Sequence, residues 1–187
     1  MITSRRGPFR SPYPYTPDRK PWVLPEAPAP DPLMLAAALA QVTERLRFMP
    51  TAYVLPMREP LVAAKSIATA AVLAQGRLVL GVGVGWNHVE YEALNEDWKS
   101  RGTRQREQVE VLKKLWCDDL VSYQGRFHQL TEVNITPRPV QRPIPVWFGG
   151  SSDAVVKRAA QIGDGWMPII APDHEAATKL ELLQNHL

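Results

Sequence analysis

Apolar positions along this chain switch between helical spacing and short continuous runs, a pattern that predicts alternating helices and strands. Leu33, Ala36, Ala37 and Ala40 recur at helical spacing, with Leu35, Leu39 and Val42 widening the apolar face. Asp31-Pro32 precedes them, a pair suited to cap a helix and open its first turn. Residues 47–55 read as a strand closed by Pro56. Pro60 opens a second helix that reaches Gln75-Gly76, where the glycine suits a C-terminal stop. Residues 77–83 form the next strand, residues 88–98 are mixed, and residues 101–116 make a helix with Val109, Leu112 and Trp116 on one face. Short β-like pieces around Gln124-Gly125 predict a hairpin over 121–135. Residues 144–148 follow as a third strand, 152–162 as a helix, 165–169 as a fourth strand and 172–187 as a last helix. This alternation implies parallel strands with right-handed crossovers, in an open doubly wound sheet or in part of a barrel.

Composition narrows the class. The 187 residues, 45% hydrophobic and 22% charged, suffice for one globular domain with a full core. The 22 basic and 19 acidic residues are too balanced to point to nucleic acid, and Arg5, Arg6 and Arg10 read as a solvated basic start. Cys117 is the single cysteine, so an intramolecular disulfide and a thiol metal cluster are both excluded, which suits a cytoplasmic location. No apolar run reaches the roughly 18 residues that span a membrane. No apolar segment follows the first arginines, so no secretory signal is expected. Proline is the outlier at 18 residues, about twice the usual share of roughly 5%. Many of these prolines lie in a non-helical arm, residues 1–30, where Tyr13, Tyr15 and Trp22 favour packing on a surface over a disordered linker.

Two strands end in bare turns. RLVLGVGVGW, residues 77–86, runs into Gly83, Val84 and Gly85, and PVWFGGSSDA, residues 145–154, runs into Gly149, Gly150 and Ser151. A dinucleotide fingerprint needs G-x-G-x-x-G, and its third glycine falls on Trp86 here. The second turn lets backbone approach a ligand, adds the hydroxyls of Ser151 and Ser152, and aims the first N–H groups of a helix at an anion. An ordinary serine-capped turn has the same letters, and the motif alone leaves both open. His88, His128, His174 and His186 show no metal-ligand spacing and read as surface or structural. Cys117 reads as a buried inert thiol, and Glu90, Tyr91 and Glu92 as an exposed helical turn.

Three segments together resemble the bacterial-luciferase-like monooxygenase superfamily, and within it the coenzyme F420-dependent oxidoreductases. They are residues 45–86, the RPVQRPIPVWFGGSS run and the AAQIGDGWMP run, with the SPYPYTPD arm consistent as well. The resemblance implies a (β/α)8 TIM-barrel α/β fold with the cofactor at the C-terminal strand ends. It aligns Thr51, Ala52 and Tyr53 with the end of the barrel's third strand, where a non-prolyl cis peptide often cups the flavin ring. Gly83, Val84 and Gly85 match the fourth-strand turn beside the cofactor side chain. Gly149, Gly150 and Ser151 match the fifth-strand turn that holds its phosphate, and Trp166 falls at the sixth-strand end near the ring. Met49-Pro50-Thr51 stands where the family often carries a Gly-Thr-Gly run, and Pro50 removes a ladder donor.

Against a barrel of about 250 residues, the whole of residues 1–187 is expected to be a partial domain, from after the second strand to the sixth strand and its helix. The family's frequent active-site histidine, on the first two strands, then has no counterpart here, and no catalytic acid or base can be named. The activity implied is hydride transfer between coenzyme F420 and a small-molecule organic substrate. The alternatives are an FMN-dependent monooxygenase or a non-catalytic remnant that binds a phosphorylated ligand. Unpaired strand edges predict a homo-oligomer. Nucleic acid, membrane and metal are not expected partners.

Overall fold

A computed structural model describes residues 11–21, 27–169 and 173–187. The basic start and Trp22 lie outside these residues. The chain folds as α1 (Pro32–Gln41), β1 (Tyr53–Val54), a 3-10 turn (Leu55–Met57), α2 (Pro60–Leu73), β2 (Leu80–Gly83) and α3 (His88–Ala93). It continues through α4 (Arg101–Cys117), β3 (Val121–Gln124), β4 (Gln129–Val133), β5 (Val146–Gly149), α5 (Asp153–Ile162), β6 (Gly165–Met167) and α6 (Asp173–Gln184).

Strands β1, β2, β5 and β6 form one parallel sheet in chain order, and β3 and β4 pair separately as an antiparallel hairpin. A dinucleotide-binding sheet reverses its strand order at the ligand crevice. Here the order runs one way, and the helices follow it, α1 against α2, α2 against α4, α4 against α5 and α5 against α6. One layer of helices therefore wraps one face of the sheet, as in an arc of a barrel. The outer strands of that arc, β1 and β6, have no further neighbour among the described residues.

Local chemistry sets the ends of the helices. The Asp31 carboxylate accepts the N–H groups of Leu33 at 2.9 Å and Met34 at 3.2 Å, which caps α1. Glu59 caps α2 by accepting the Val62 N–H at 2.8 Å. The Arg77 guanidinium donates to the carbonyls of Ala40, Leu46 and Ala74, so one side chain closes the C-terminal ends of both helices. Alanines at positions 63, 64, 68, 70 and 71 bury the α2 face at close range. This closeness lets the Trp116 indole of α4 donate to the Ala64 carbonyl at 3.2 Å.

Four expectations are corrected. Residues 47–55 do not form one strand: Phe48 bridges Leu78, the chain leaves the ladder at Pro50, and only Tyr53 and Val54 pair again. A proline without an N–H accounts for that gap. Leu35, Leu39 and Val42 are exposed, because among the described residues α1 packs chiefly on α2. Cys117 is exposed at the end of α4. Tyr91 and Glu90 are buried. No described helix is long and apolar enough to cross a membrane.

Candidate cofactor site

The site begins with strand alternation. In β2, Leu80 and Val82 are fully buried in the core with the helices, while Gly81 and Gly83 face the other way. In β5, Val146 and Phe148 join the same core, and Gly149 shares the face of the β2 glycines. That second face is built of small groups at close range. A Cβ on Gly83 would stand 2.8 Å from the Ala52 Cβ, and one on Gly149 would stand 3.3 Å from Met167 Cε and 3.7 Å from the Ala52 Cβ. Ala52, Gly83, Gly149 and the flexible Met167 side chain thus line the strands' C-terminal ends with almost no bulk. The Thr51–Ala52 peptide, where the resemblance implies a non-prolyl cis bond, is cis.

Beyond the strands the two turns take their shapes from glycine. Gly85 has φ +70°, and a Cβ there would lie 2.9 Å from Val54 Cγ1. The buried Tyr91 hydroxyl donates to the Val84 carbonyl at 2.6 Å and holds this turn from below. Gly150 has φ +130° and donates its N–H to the Met167 carbonyl at 3.1 Å. The Trp166 indole donates to the Gly150 carbonyl at 2.7 Å, which ties the end of β6 to the turn. Ser151 Oγ donates to the Ile169 carbonyl at 2.9 Å and accepts the Ile169 N–H at 3.2 Å, so this hydroxyl already serves the backbone. Ser152 caps α5 by position and makes no side-chain bond to it.

A cavity of about 580 Å3 lies over both turns. Val84, Gly85 and Trp86 form one side, Gly149 to Ser152 another, and Ser11, Pro12, Pro14 and Tyr15 of the arm a third. His88, Trp98, Arg101 and Val155 complete the lining. The Arg101 guanidinium lies 3.7 Å over the Trp98 ring and donates through Nη1 to the Trp98 carbonyl at 2.8 Å. Its Nε is buried without a partner. An arginine that shares a cavity with a glycine turn at a helix start fits a phosphate.

Of the ten residues singled out in the sequence, Val84, Gly85, Gly149, Gly150 and Ser151 line this cavity. Thr51 adjoins Ala52 through the cis peptide, and Ala52 and Gly83 form the floor beside the cavity. Tyr53 and Trp166 do not point to that floor. Tyr53 pairs with Val82 and Trp166 with Phe148, so each shares the helix-side face, where Arg58 covers the Tyr53 ring at 4.0 Å. Burial pushes the Tyr53 phenol above its usual range, the Arg58 charge working against it. His88, read as surface or structural, lines the cavity with its ring against Trp98. Arg101 and Trp98 line the cavity without having stood out in the sequence. Their signal is slight: an arginine at the first turn of α4, separated from the Gly85 turn by α3.

The family model for luciferase-like monooxygenases matches residues 14–187. An uncharacterised protein of Mycobacterium tuberculosis is 38% identical over 157 residues, 84% of this chain and 54% of its own length. The F420-dependent glucose-6-phosphate dehydrogenase of Amycolatopsis mediterranei is 33% identical over 157 residues, 79% of this chain and 45% of that protein. Among solved structures, a monooxygenase from Streptomyces bottropensis superposes with a TM-score of 0.78 at 30% identity, over 84% of this chain and 49% of that one. An F420-dependent secondary alcohol dehydrogenase in complex with an F420-acetone adduct shares the fold, with a TM-score of 0.78 at 23% identity, over 89% of this chain and 52% of that one. The chain spans about half the length of the relatives it matches. The parallel sheet and its helix layer are an arc of the TIM barrel of these neighbours, and the chain belongs to the luciferase-like monooxygenase family.

Proposed function

We propose that this chain carries the cofactor side of a luciferase-like oxidoreductase that moves a hydride between coenzyme F420 and a small organic substrate. The observation that carries the reading is the cavity over Gly149–Ser152, with Arg101 on its lining. Similarity to an F420-dependent dehydrogenase favours the deazaflavin over FMN.

Arg101, the Gly150 turn and the first N–H groups of α5 would hold the phosphate, and the small floor of Ala52, Gly83 and Gly149 leaves space for a planar ring. When bound, the deazaflavin supplies two-electron hydride chemistry, and the protein supplies position and exclusion of water. Trp98 stacks on the guanidinium and keeps its charge at the cavity. The open edges of β1 and β6 support association of the isolated chain, and a monodisperse monomer in light scattering would count against that.

Fluorescence titration of the folded chain with coenzyme F420, and with FMN in parallel, tests the reading. Saturable F420 binding that Gly150→Val abolishes supports it, since valine is strained at that backbone angle. Preference for FMN moves the chain to the flavin branch, and binding of neither cofactor removes the reading.

A further inference from the structure

The arm contributes more than a wall. Ser11 is almost fully buried, 5% exposed, and its Oγ accepts the His88 N–H at 2.7 Å across 77 positions of sequence. That amide opens α3, and the helix start lacks an internal acceptor for it. The neighbouring Val89 N–H is taken by the Asn87 side chain at 3.3 Å, so the arm and the cap residue divide the first donors between them. Tyr13 packs edge-on against Trp86 at 4.9 Å, and Tyr15 against Tyr13 at 5.3 Å, which fixes the arm beside the β2 turn.

The Ser11 hydroxyl keeps its own proton. Among the described residues its O–H donates to no acceptor, although it lines the cavity that holds Gly149–Ser152 and Arg101. A hydroxyl fixed by an amide donor, with an unused O–H facing a cavity, is suited to donate to an anion. We propose that Ser11 is an anion-binding residue of the cofactor site: it seats the arm on α3 through His88 and donates its O–H to the cofactor phosphate from the arm's side of the cavity. Pro12 and Pro14 carry no N–H, and of the arm residues on the lining Ser11 and Tyr15 alone bring a side-chain donor. The inference rests on reading the cavity as a phosphate site.

The test separates binding of the phosphate from upkeep of the fold. Dissociation constants of the full chain and of Ser11→Ala are measured by fluorescence for FMN against riboflavin, and for coenzyme F420 against its phosphate-free deazaflavin riboside. Ser11→Ala is expected to weaken the phosphorylated member of the binding pair about tenfold and its phosphate-free partner less than twofold. Equal weakening of both members makes Ser11 a purely structural residue and overturns the proposal, and so does an unchanged pair. If the unaltered chain binds neither phosphorylated cofactor, the phosphate reading of the cavity falls and the proposal falls with it. Ser11→Thr, which keeps the hydroxyl, is expected to restore the preference for the phosphorylated member, and a threonine variant that lacks it overturns the proposal.

Discussion

A Cβ added to Gly83 would stand 2.8 Å from the Ala52 Cβ, closer than two such atoms pack. β1 and β2 therefore meet at the candidate ring floor only because one of the facing residues is a glycine. Gly83→Ala is expected to cost about 1–3 kcal/mol from overpacking, less roughly 0.4–1 kcal/mol gained from the stiffer unfolded chain. Ala52→Gly in the same chain removes the opposing methyl. Thermal unfolding of the two single variants and the double variant should show a favourable interaction in the cycle. Strict additivity would mean that the two positions do not press on each other.

Trp166 works on the Gly149–Gly150 turn from the helix side, through the 2.7 Å bond from its indole N–H to the Gly150 carbonyl. Trp166→Phe keeps an aromatic ring and removes that donor. A lost hydrogen bond of this type costs about 1 kcal/mol, which for a chain of this length lowers Tm by roughly 2–4 °C. Cofactor affinity should fall several-fold with it, because Gly150 loses the tie that holds its unusual backbone angle. A variant with lowered Tm and unchanged affinity would show that the tie serves folding alone.

β2 was legible as a strand running into a glycine turn because its residues have one meaning each, Leu80 and Val82 for the core and Gly81 and Gly83 for close approach. The same rule failed across residues 47–55, where a single proline interrupts the ladder while the apolar run continues past it. In α4 the failure has another cause. The apolar face there singles out Val109, Leu112 and Trp116, yet Arg104, Gln105, Glu107 and Gln108 are buried as well. Glu107 illustrates why: its carboxylate accepts the N–H groups of Arg126, Phe127 and His128, a partnership with a hairpin tip about twenty positions away that no local pattern encodes. The glycine turns were likewise visible as sequence, whereas the arm's place over them depends on Ser11 meeting the His88 amide.

Tyr91 supports the other turn. Its hydroxyl donates to the Val84 carbonyl at 2.6 Å, and its ring meets Trp98 edge-on at 5.1 Å. Tyr91→Phe preserves the ring contact and leaves the carbonyl without its donor, at a cost of about 1–2 kcal/mol. Burial pushes the Tyr91 phenol far above its ordinary value, against the pull of the Arg104 and Arg101 charges. The donor is accordingly kept in alkaline solution. Denaturant unfolding should show a stability difference between the unaltered chain and Tyr91→Phe that is constant from neutral pH to about 9 and falls above about 10, the ordinary tyrosine value, as the unfolded phenol gives up a proton that the folded one keeps. A difference that rises with pH instead would mean that the folded phenol ionises more readily than the unfolded one.

His128 makes stability depend on mildly acidic pH. Its Nε2 is buried without a partner, and burial holds the imidazole below its ordinary 6.5, outweighing the upward pull of Glu107, Glu59 and Glu96 while the Arg104 charge adds to the lowering. The unfolded chain takes up a proton near the ordinary value and the folded chain does so only at lower pH. Above that value neither state is protonated at this site, and its cost is absent. As pH falls through that value the unfolded state gains a proton the folded state refuses, so stability drops, by at most about 1.4 kcal/mol per pH unit. The loss ends below the folded-state value, where both states carry the proton. His128→Gln cannot titrate and keeps a polar side chain. Subtracting its unfolding free energies from those of the unaltered chain, between pH about 7.5 and 5, should leave a curve that falls toward acid. A flat difference would show that the imidazole takes its proton as readily folded as unfolded.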